Sequence, residues 1–107
     1  LIIKKGAHGA LLFQGESMFA APAVPLRRVI DPTGAGDTFA AGLMGVLANA
    51  PELTASVWRR AVLTGTTMAS FACEGFSFDR VLEVSKAEIE GRIRQLELSI
   101  DLSGGLR

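Results

Sequence analysis

The residues best suited to chemistry lie between positions 31 and 42, where the chain reads Asp-Pro-Thr-Gly-Ala-Gly-Asp-Thr-Phe-Ala-Ala-Gly. Gly34, Ala35 and Gly36 form a turn with almost no side chain, and an apolar helix of small residues is predicted to follow from Asp37. Such a turn exposes backbone N–H groups at a helix start, where unpaired donors and the helix dipole attract an anion. A carboxylate at this place suits a group that accepts a proton from a hydroxyl attacking phosphorus.

Other glycine-rich phosphate motifs fit this stretch less well. A P-loop needs Lys after its final Gly, but Asp37 follows Gly36. A dinucleotide fingerprint needs Gly or Ala three residues after its second Gly, and Phe39 stands there. A protein-kinase glycine loop is a hairpin, whereas this turn leads into a helix. Two interpretations fit the local pattern equally: an anion-binding helix start with an acid in its first turn, and a plain strand-to-helix connection capped by Asp31 or Thr33.

The composition is that of an ordinary globular protein. The 107 residues suffice for one core, 49% of them are hydrophobic, and 11 basic residues balance 11 acidic ones. Zero net charge gives no reason to expect nucleic acid or an anionic membrane as a partner, and no apolar stretch is long enough to cross a bilayer. The single cysteine, Cys73, excludes an internal disulfide and a cysteine-based zinc site, and it fits a reducing cytoplasm.

The beginning of the chain has the pattern of a buried strand. Residues 1–3 are apolar, with no turn before them and no initiator methionine. We therefore expect residues 1–107 to form a single region, the C-terminal piece of something longer. Residues 103–107, which contain Ser-Gly-Gly, are expected to be a mobile tail.

Short strands and three helices are predicted to position the glycine turn. Strands are expected at residues 1–5, 10–14 and 17–21, followed by an extended approach at 26–30. Helices are expected at residues 36–49 and 55–73, and from a capping box at Ser85 and Glu88 onward. Helix 36–49 is apolar nearly all round and should be buried on most sides. Gly75 should end the second helix, and residues 76–84 should be irregular.

The run from Asp31 to Phe39 resembles the second signature of the ribokinase-like, or pfkB, carbohydrate kinases, whose pattern is Asp-Thr-x-Gly-Ala-Gly-Asp followed by a helix. Residues 5–12 look like the family's strand-turn-strand before the nucleotide site, and residues 69–75 look like its helix end beside the signature, so residues 1–80 are covered. Pro32 departs from the family's usual Thr.

The resemblance implies an α/β fold. Within it, this chain would be the C-terminal, ATP-binding part of a three-layer α/β/α sandwich, with short strands or a hairpin followed by three helices. The N-terminal substrate and lid portion would lie before residue 1, together with the upstream Asn-x-x-Glu magnesium motif.

The function implied by the resemblance is that of a cytoplasmic transferase, a kinase moving a phosphoryl group from ATP to a hydroxyl of a sugar or nucleoside. Asp37 would be the catalytic base, and the anion hole would be formed by the amides of Gly34, Ala35, Gly36 and Asp37. The implied ATP-binding residues are Gly6, Gly34, Gly36, Thr67 and Met68. The implied monovalent-cation site comprises Asp31, Thr33, Ser70, Cys73, Gly75 and Asp79. The implied cofactors are ATP and Mg²⁺, with K⁺ in many members.

Several alternatives stay open at this stage. The implied partner is a small sugar or nucleoside acceptor of unknown identity, and a homodimer of the full-length protein is not excluded. The chain could instead be a nucleotide-binding module without turnover, or a scaffold in which the glycine turn only joins strand to helix. Gly6 fits a plain hairpin glycine equally well. The Arg59–Arg60 and Arg92/Arg94 pairs are interpreted as solvated helix faces.

Overall fold

The computed structural model describes residues 1–76 and 79–100. Three strands form an antiparallel sheet in chain order: β1 (Ile2–Lys4), β2 (Ala10–Gln14) and β3 (Ser17–Ala21). The helices of the described part are α1 (Ala35–Asn49), α2 (Ala55–Cys73), α3 (Asp79–Glu83) and α4 (Lys86–Ser99). The three predicted strands and three longer helices are confirmed. The short helix α3 was not predicted, because it falls in the stretch expected to be irregular. The predicted tail at 103–107 lies outside the described residues.

One face of the sheet packs against the helices. The register pairs Ile2 with Leu12 and Leu12 with Phe19, so these three side chains form a row across the sheet. Strand side chains alternate between faces, and this row joins a core whose buried members are Ala10, Leu12, Ala21, Phe39, Val62, Leu63 and Leu96. Leu11 and Ile3, which pair on the opposite face, are more exposed. The apolar alternation therefore fixes which face of each strand turns toward the helices.

Helices α1 and α2 pack closely along one line of contact. A Cβ on Gly65 would lie 3.0 Å from ring atoms of Phe39, and a Cβ on Gly42 would lie 2.9 Å from Cγ of Met68. The expectation that α1 is buried on most sides is wrong for the described residues. Only Thr38 and Phe39 of this helix are buried, and Met44 is 58% exposed. The small residues of α1 allow close approach to α2 on one face, and the opposite face stays open.

Helix α2 ends at Cys73, immediately before Glu74 and Gly75 as predicted, but the geometry of this end differs from the expected glycine cap. Gly75 does not adopt the left-handed backbone typical of a helix C-terminal glycine, and Glu74 is the C-cap in a right-handed conformation. Space explains the glycine instead, since a Cβ on Gly75 would lie 2.9 Å from Cβ of Arg80 at the start of α3. The capping box of α4 is confirmed, with the Glu88 amide donating to Oγ of Ser85 at 3.1 Å.

Helix α4 is held to α2 by a partly buried ion pair. The two terminal guanidinium nitrogens of Arg92 donate to the two carboxylate oxygens of Glu74, each at 3.0 Å. The same guanidinium lies 3.8 Å from the ring centroid of Phe71, which is 1% exposed. The interpretation of Arg92 as a solvated residue is therefore wrong: its side chain is only 19% exposed. Among residues 1–76 and 79–100, no helix combines the length and apolar character needed to span a bilayer.

Candidate active site

The glycine turn before α1 has a backbone that favours glycine. Gly34 is the N-cap residue, and its φ of 83° lies in the left-handed region that a side chain disfavours. The N-cap position is Gly34 rather than Asp31 or Thr33, and Gly34 has no side chain to accept a hydrogen bond at the helix start. Asp31 instead accepts the amide of Thr33 through Oδ1 at 3.0 Å, which stabilises the loop before the turn.

The amides of the turn divide into one paired donor and three unpaired ones. The Ala35 amide donates to the Pro32 carbonyl at 3.1 Å. In the described part of the chain, the amides of Gly34, Gly36 and Asp37 have no hydrogen-bond acceptor. Unpaired N–H groups at a helix start are the donors that bind anions. Ala35 therefore contributes less to the predicted anion hole than its three neighbours.

Asp37 lies in the first turn of α1 with an exposed side chain. Its carboxylate forms neither a hydrogen bond nor an ion pair with any residue in the described ranges. The next two residues, Thr38 and Phe39, are buried. Thr38 donates both its amide and its hydroxyl to the Gly34 carbonyl, at 3.0 and 2.9 Å. These anchors fix the helix start while leaving the carboxylate of Asp37 open to a ligand.

The segment entering the turn is attached to the end of α2. The amides of Ile30 and Asp31 both donate to the carbonyl of Cys73, at 2.8 and 3.3 Å. Burial raises the pKa of the Cys73 thiol, and the carboxylates of Asp31 and Glu74 raise it further. A raised pKa leaves the thiol protonated, which argues against a nucleophilic role and agrees with its interpretation as a packed residue.

The remaining predicted site residues differ in their burial and in their hydrogen-bond partners. Thr67 is fully buried and donates its hydroxyl to the Leu63 carbonyl, so its side chain has no surface left for adenine. Met68 packs against Gly42. The Ser70 hydroxyl donates to Thr67 and accepts from Arg92, a cationic neighbour that does not suit a cation site. Asp79 is exposed at the start of α3.

One polar residue near the turn was missed from the sequence. Lys4 ends β1, and its Nζ lies 3.2 Å from the position that a Cβ on Gly36 would occupy. The same nitrogen lies 5.6 Å from the ring centroid of Phe39. Gly6, two residues further on, adopts a φ of 57° in an exposed 3₁₀ turn (Gly6–His8). The available signal was strand alternation, which places Lys4 on the same face as Ile2, toward the helices.

Comparison with known proteins shows which protein family the chain belongs to. The model of the pfkB family carbohydrate kinases matches residues 1–80, three quarters of the chain. The chain belongs to the pfkB family. The match contains the strands, the glycine turn, α1 and α2, and it ends before α4. The ribokinase-like fold predicted from the signature is confirmed, and the small antiparallel sheet with its helices is a fragment of that α/β fold.

Named pfkB relatives are kinases of small molecules. The chain is 32% identical over 74 residues to a nucleoside kinase of Methanocaldococcus jannaschii, covering 69% of this chain and 23% of that protein. It is 42% identical over 72 residues to an aminoimidazole riboside kinase of Salmonella typhimurium, covering 67% and 21%. The chain thus spans less than a quarter of the length of these relatives.

A solved pfkB structure has the same fold over most of this chain. The aminoimidazole riboside kinase of Salmonella enterica, complexed with aminoimidazole riboside and an ATP analog, superposes with a TM-score of 0.73 at 29% identity. The superposition covers 86% of this chain and 30% of that one. The described residues therefore fold as the corresponding part of a larger kinase does.

Proposed function

We propose that this chain carries the anion hole and the catalytic base of an ATP-dependent kinase that phosphorylates a hydroxyl of a sugar or nucleoside. The observation that carries the proposal is the start of α1. There the exposed carboxylate of Asp37 has no protein partner in the described ranges and shares one turn with the unpaired amides of Gly36 and Asp37. Such a place combines a proton acceptor with donors for a phosphate, the two requirements of phosphoryl transfer to an alcohol.

The proposed reaction follows from these two groups. The acceptor oxygen attacks the γ-phosphorus of ATP, its proton passes to the carboxylate of Asp37, and the bond from the γ-phosphorus to the bridging oxygen breaks to release ADP. The amides of Gly34, Gly36 and Asp37 donate to the oxygens of the transferring group as their charge changes. The buried anchors Thr38 and Phe39 keep the base and the donors in fixed relative positions, which transfer of this kind requires.

The proposal is tested by Asp37→Asn in the complete protein that contains this chain. We expect kcat to fall by about two to four orders of magnitude, because the amide cannot accept the proton, while ATP affinity changes little. Glu52→Gln is the matched control, since it neutralises an exposed carboxylate outside the turn. Turnover close to wild type in Asp37→Asn would remove this residue from the mechanism.

The described residues fit the two proposed metal ions, Mg²⁺ and K⁺, to different degrees. The described residues contain no group of three or more His, Cys, Asp or Glu side chains able to hold a metal, so Mg²⁺ is proposed to arrive with ATP. A monovalent cation such as K⁺ is proposed at the backbone carbonyls of Asp31 and Thr33. Cys73 fits that cation poorly, because its carbonyl already accepts two amides. Equal activity in K⁺ and in a bulky inert cation would argue against this site.

The wider context is also proposed rather than established. Residues 1–107 are proposed as the ATP-binding portion of a longer kinase domain, with the acceptor site supplied from outside them. A cytoplasmic location fits the free thiol of Cys73. Because the chain spans about a quarter of its relatives, a second candidate applies to these residues alone. They could bind ATP or ADP without turnover, as a nucleotide-binding module.

A further inference from the structure

We infer that Arg92 is a positioning residue for the phosphoryl transfer, an inference that rests on the kinase function proposed above. Helix α4, which carries Arg92, lies outside residues 1–80 that the family model matches. In the described ranges, the guanidinium contacts Ser70, Phe71 and Glu74 at the end of α2. Any effect of Arg92 on the glycine turn must therefore pass through the end of α2.

The first link joins Arg92 to the end of α2. Its Nη1 donates to Oγ of Ser70 and to Oε1 of Glu74, and its Nη2 donates to Oε2 of Glu74, all at 3.0 Å. Ser70 and Phe71 are 5% and 1% exposed, so the surroundings of the guanidinium are packed. A planar guanidinium that binds a carboxylate through two nitrogens has a defined orientation. The end of α2 is therefore held in a fixed place relative to α4.

The second link joins the same end of α2 to the glycine turn. The last carbonyls of a helix have no partner within it. The carbonyl of Cys73, the last residue of α2, accepts the amides of Ile30 and Asp31 at 2.8 and 3.3 Å. Oδ1 of Asp31 then accepts the amide of Thr33, one residue before the left-handed glycine, at 3.0 Å. Glu74 follows Cys73 directly, so the ion pair and the turn are attached to adjacent residues.

Charge gives Arg92 a role that packing alone would not. The C-terminal end of a helix carries partial negative charge, so the carboxylate of Glu74 is disfavoured there unless a cation neutralises it. Burial raises the pKa of the Cys73 thiol, and the carboxylates of Asp31 and Glu74 raise it further, so both carboxylates lie near it. Arg80 gives Glu74 only a longer contact, at 3.4 Å. Without Arg92, Glu74 would repel Asp31 and loosen the segment that enters the turn.

The test combines steady-state kinetics with hydrogen exchange of the segment before the turn, in the complete protein that contains this chain. Because misplacing the base and the anion hole slows transfer, we expect kcat to fall about 10-fold in Arg92→Met, with each KM changed less than about 3-fold. Arg92→Lys keeps the charge without the two-nitrogen geometry and should lie between Arg92→Met and wild type. The amides of Ile30 and Asp31 should exchange faster in Arg92→Met.

Two control variants separate positioning from loss of stability. Arg94→Met removes an exposed arginine from the same helix. Gly15→Ala destabilises the turn between β2 and β3, because Gly15 has a φ of 57°. Both should keep kcat within about 2-fold of wild type and leave the exchange of Ile30 and Asp31 unchanged. Equal losses of kcat in Arg92→Met and Gly15→Ala would overturn the inference, since stability alone would then explain them.

A double variant tests the electrostatic step. Combining Glu74→Gln with Arg92→Met removes the repulsion from Asp31 together with the cation that offsets it. The kcat of this protein should recover to within about 3-fold of wild type. A folded double variant with the kcat expected for Arg92→Met would overturn the inference, and this criterion also decides if Arg92→Met itself does not fold.

Failure of the inference and failure of the proposed function give different results. If the wild-type protein phosphorylates no sugar or nucleoside, the proposed function fails, and the inference fails with it. If wild type turns over and Arg92→Met matches it in kcat and in hydrogen exchange, only the role of Arg92 is refuted.

Discussion

Gly9 has the tightest steric surroundings among the described glycines. Its φ is 90°, and a Cβ built on it would lie 2.1 Å from the carbonyl oxygen of Ala21 and 2.8 Å from the Ala23 nitrogen. Gly15, in the next turn, also has a positive φ, but nothing lies within 4 Å of its Cβ position. Both residues need a positive φ, yet one faces a packed backbone and the other has open space at its Cβ position.

Alanine substitution should separate these two glycines. We expect Gly9→Ala to lower the free energy of unfolding by more than about 4 kcal/mol, because the backbone of β3 would have to move. Gly15→Ala should cost about 1 to 2 kcal/mol, the penalty of the left-handed conformation alone. Urea denaturation measures both values, and equal losses in the two variants would contradict the steric account.

Single residues also mark how far the sequence could predict the site. Asp37 and the glycines of the turn could be predicted as a candidate site because the function proposed for them depends on local order along the chain. The position of Lys4 beside the turn was missed because it depends on proximity between residues 32 positions apart, which no local motif encodes. Thr67 was predicted as an adenine contact, but its full burial depends on how α2 packs.

Arg92 of helix α4 forms a partly buried ion pair, although the helical pattern predicted that it lies on a solvated face. Arg92 covers Phe71 and binds Glu74, the residue next to Cys73, whose carbonyl holds the segment entering the glycine turn. The capping box predicted the start of α4 well, because its two hydrogen bonds are local. The pairing of Arg92 with α2 is a long-range contact and could not be read from spacing.

Removing this guanidinium should lower stability measurably. We expect Arg92→Met to reduce the free energy of unfolding by about 1 to 2 kcal/mol, because the half-buried Glu74 loses two hydrogen bonds of 3.0 Å and keeps only the longer contact with Arg80 at 3.4 Å. Arg94→Met is the matched control on the same helix, since Arg94 is exposed and should stay within about 0.5 kcal/mol of wild type. Chemical denaturation of both variants makes the comparison, and indistinguishable losses would refute the role of the pair.

The contact between α3 and α4 should depend on pH. A hydrogen bond from Arg80 at 2.7 Å, followed by the Ser85 amide, lowers the pKa of Glu88 from its ordinary value of 4.5. Because the folded-state pKa lies below the unfolded one, ionised Glu88 stabilises the fold above about pH 4.5. This contribution is lost as the pH falls through the lowered value.

Glu88→Gln tests that dependence. Its melting temperature should lie below that of wild type at pH 7, and the difference should shrink as the pH falls below 4.5. Glu90→Gln, which removes a weaker exposed pair with Lys86, should show a smaller difference at every pH. A difference between wild type and Glu88→Gln that stays constant from pH 7 to pH 3 would contradict the assignment.

At the scale of the whole molecule, the described residues bury one core but leave much apolar surface open. Met44 on α1 is 58% exposed and Met18 on β3 is 57% exposed. Composition correctly indicated a globular fold, yet the burial predicted for α1 was wrong, because burial depends on which neighbours are present. The family match contains the proposed base and anion hole, whereas the chain spans less than a quarter of each named relative's length.

Residues 1–107 produced alone should therefore bind nucleotide without phosphorylating an alcohol. We expect isothermal titration calorimetry to detect ADP binding, and a coupled assay with ATP and candidate sugars or nucleosides to detect no turnover. Phosphorylation by the 107 residues alone would show that no external acceptor site is needed. Absence of binding to ADP, ATP and phosphate would favour the scaffold interpretation.

The ion pair between Arg92 and Glu74 matters for how genes of the pfkB family are recognised from their sequence. The family signature ends well before α4, so a frameshift after residue 84 would preserve every letter of it. The truncated product would still score as a kinase in a genome survey. It would lose Arg92 and keep only the longer contacts of Arg80 with Phe71 and Glu74, so an intact signature does not by itself show that the pairing between α2 and α4 is intact.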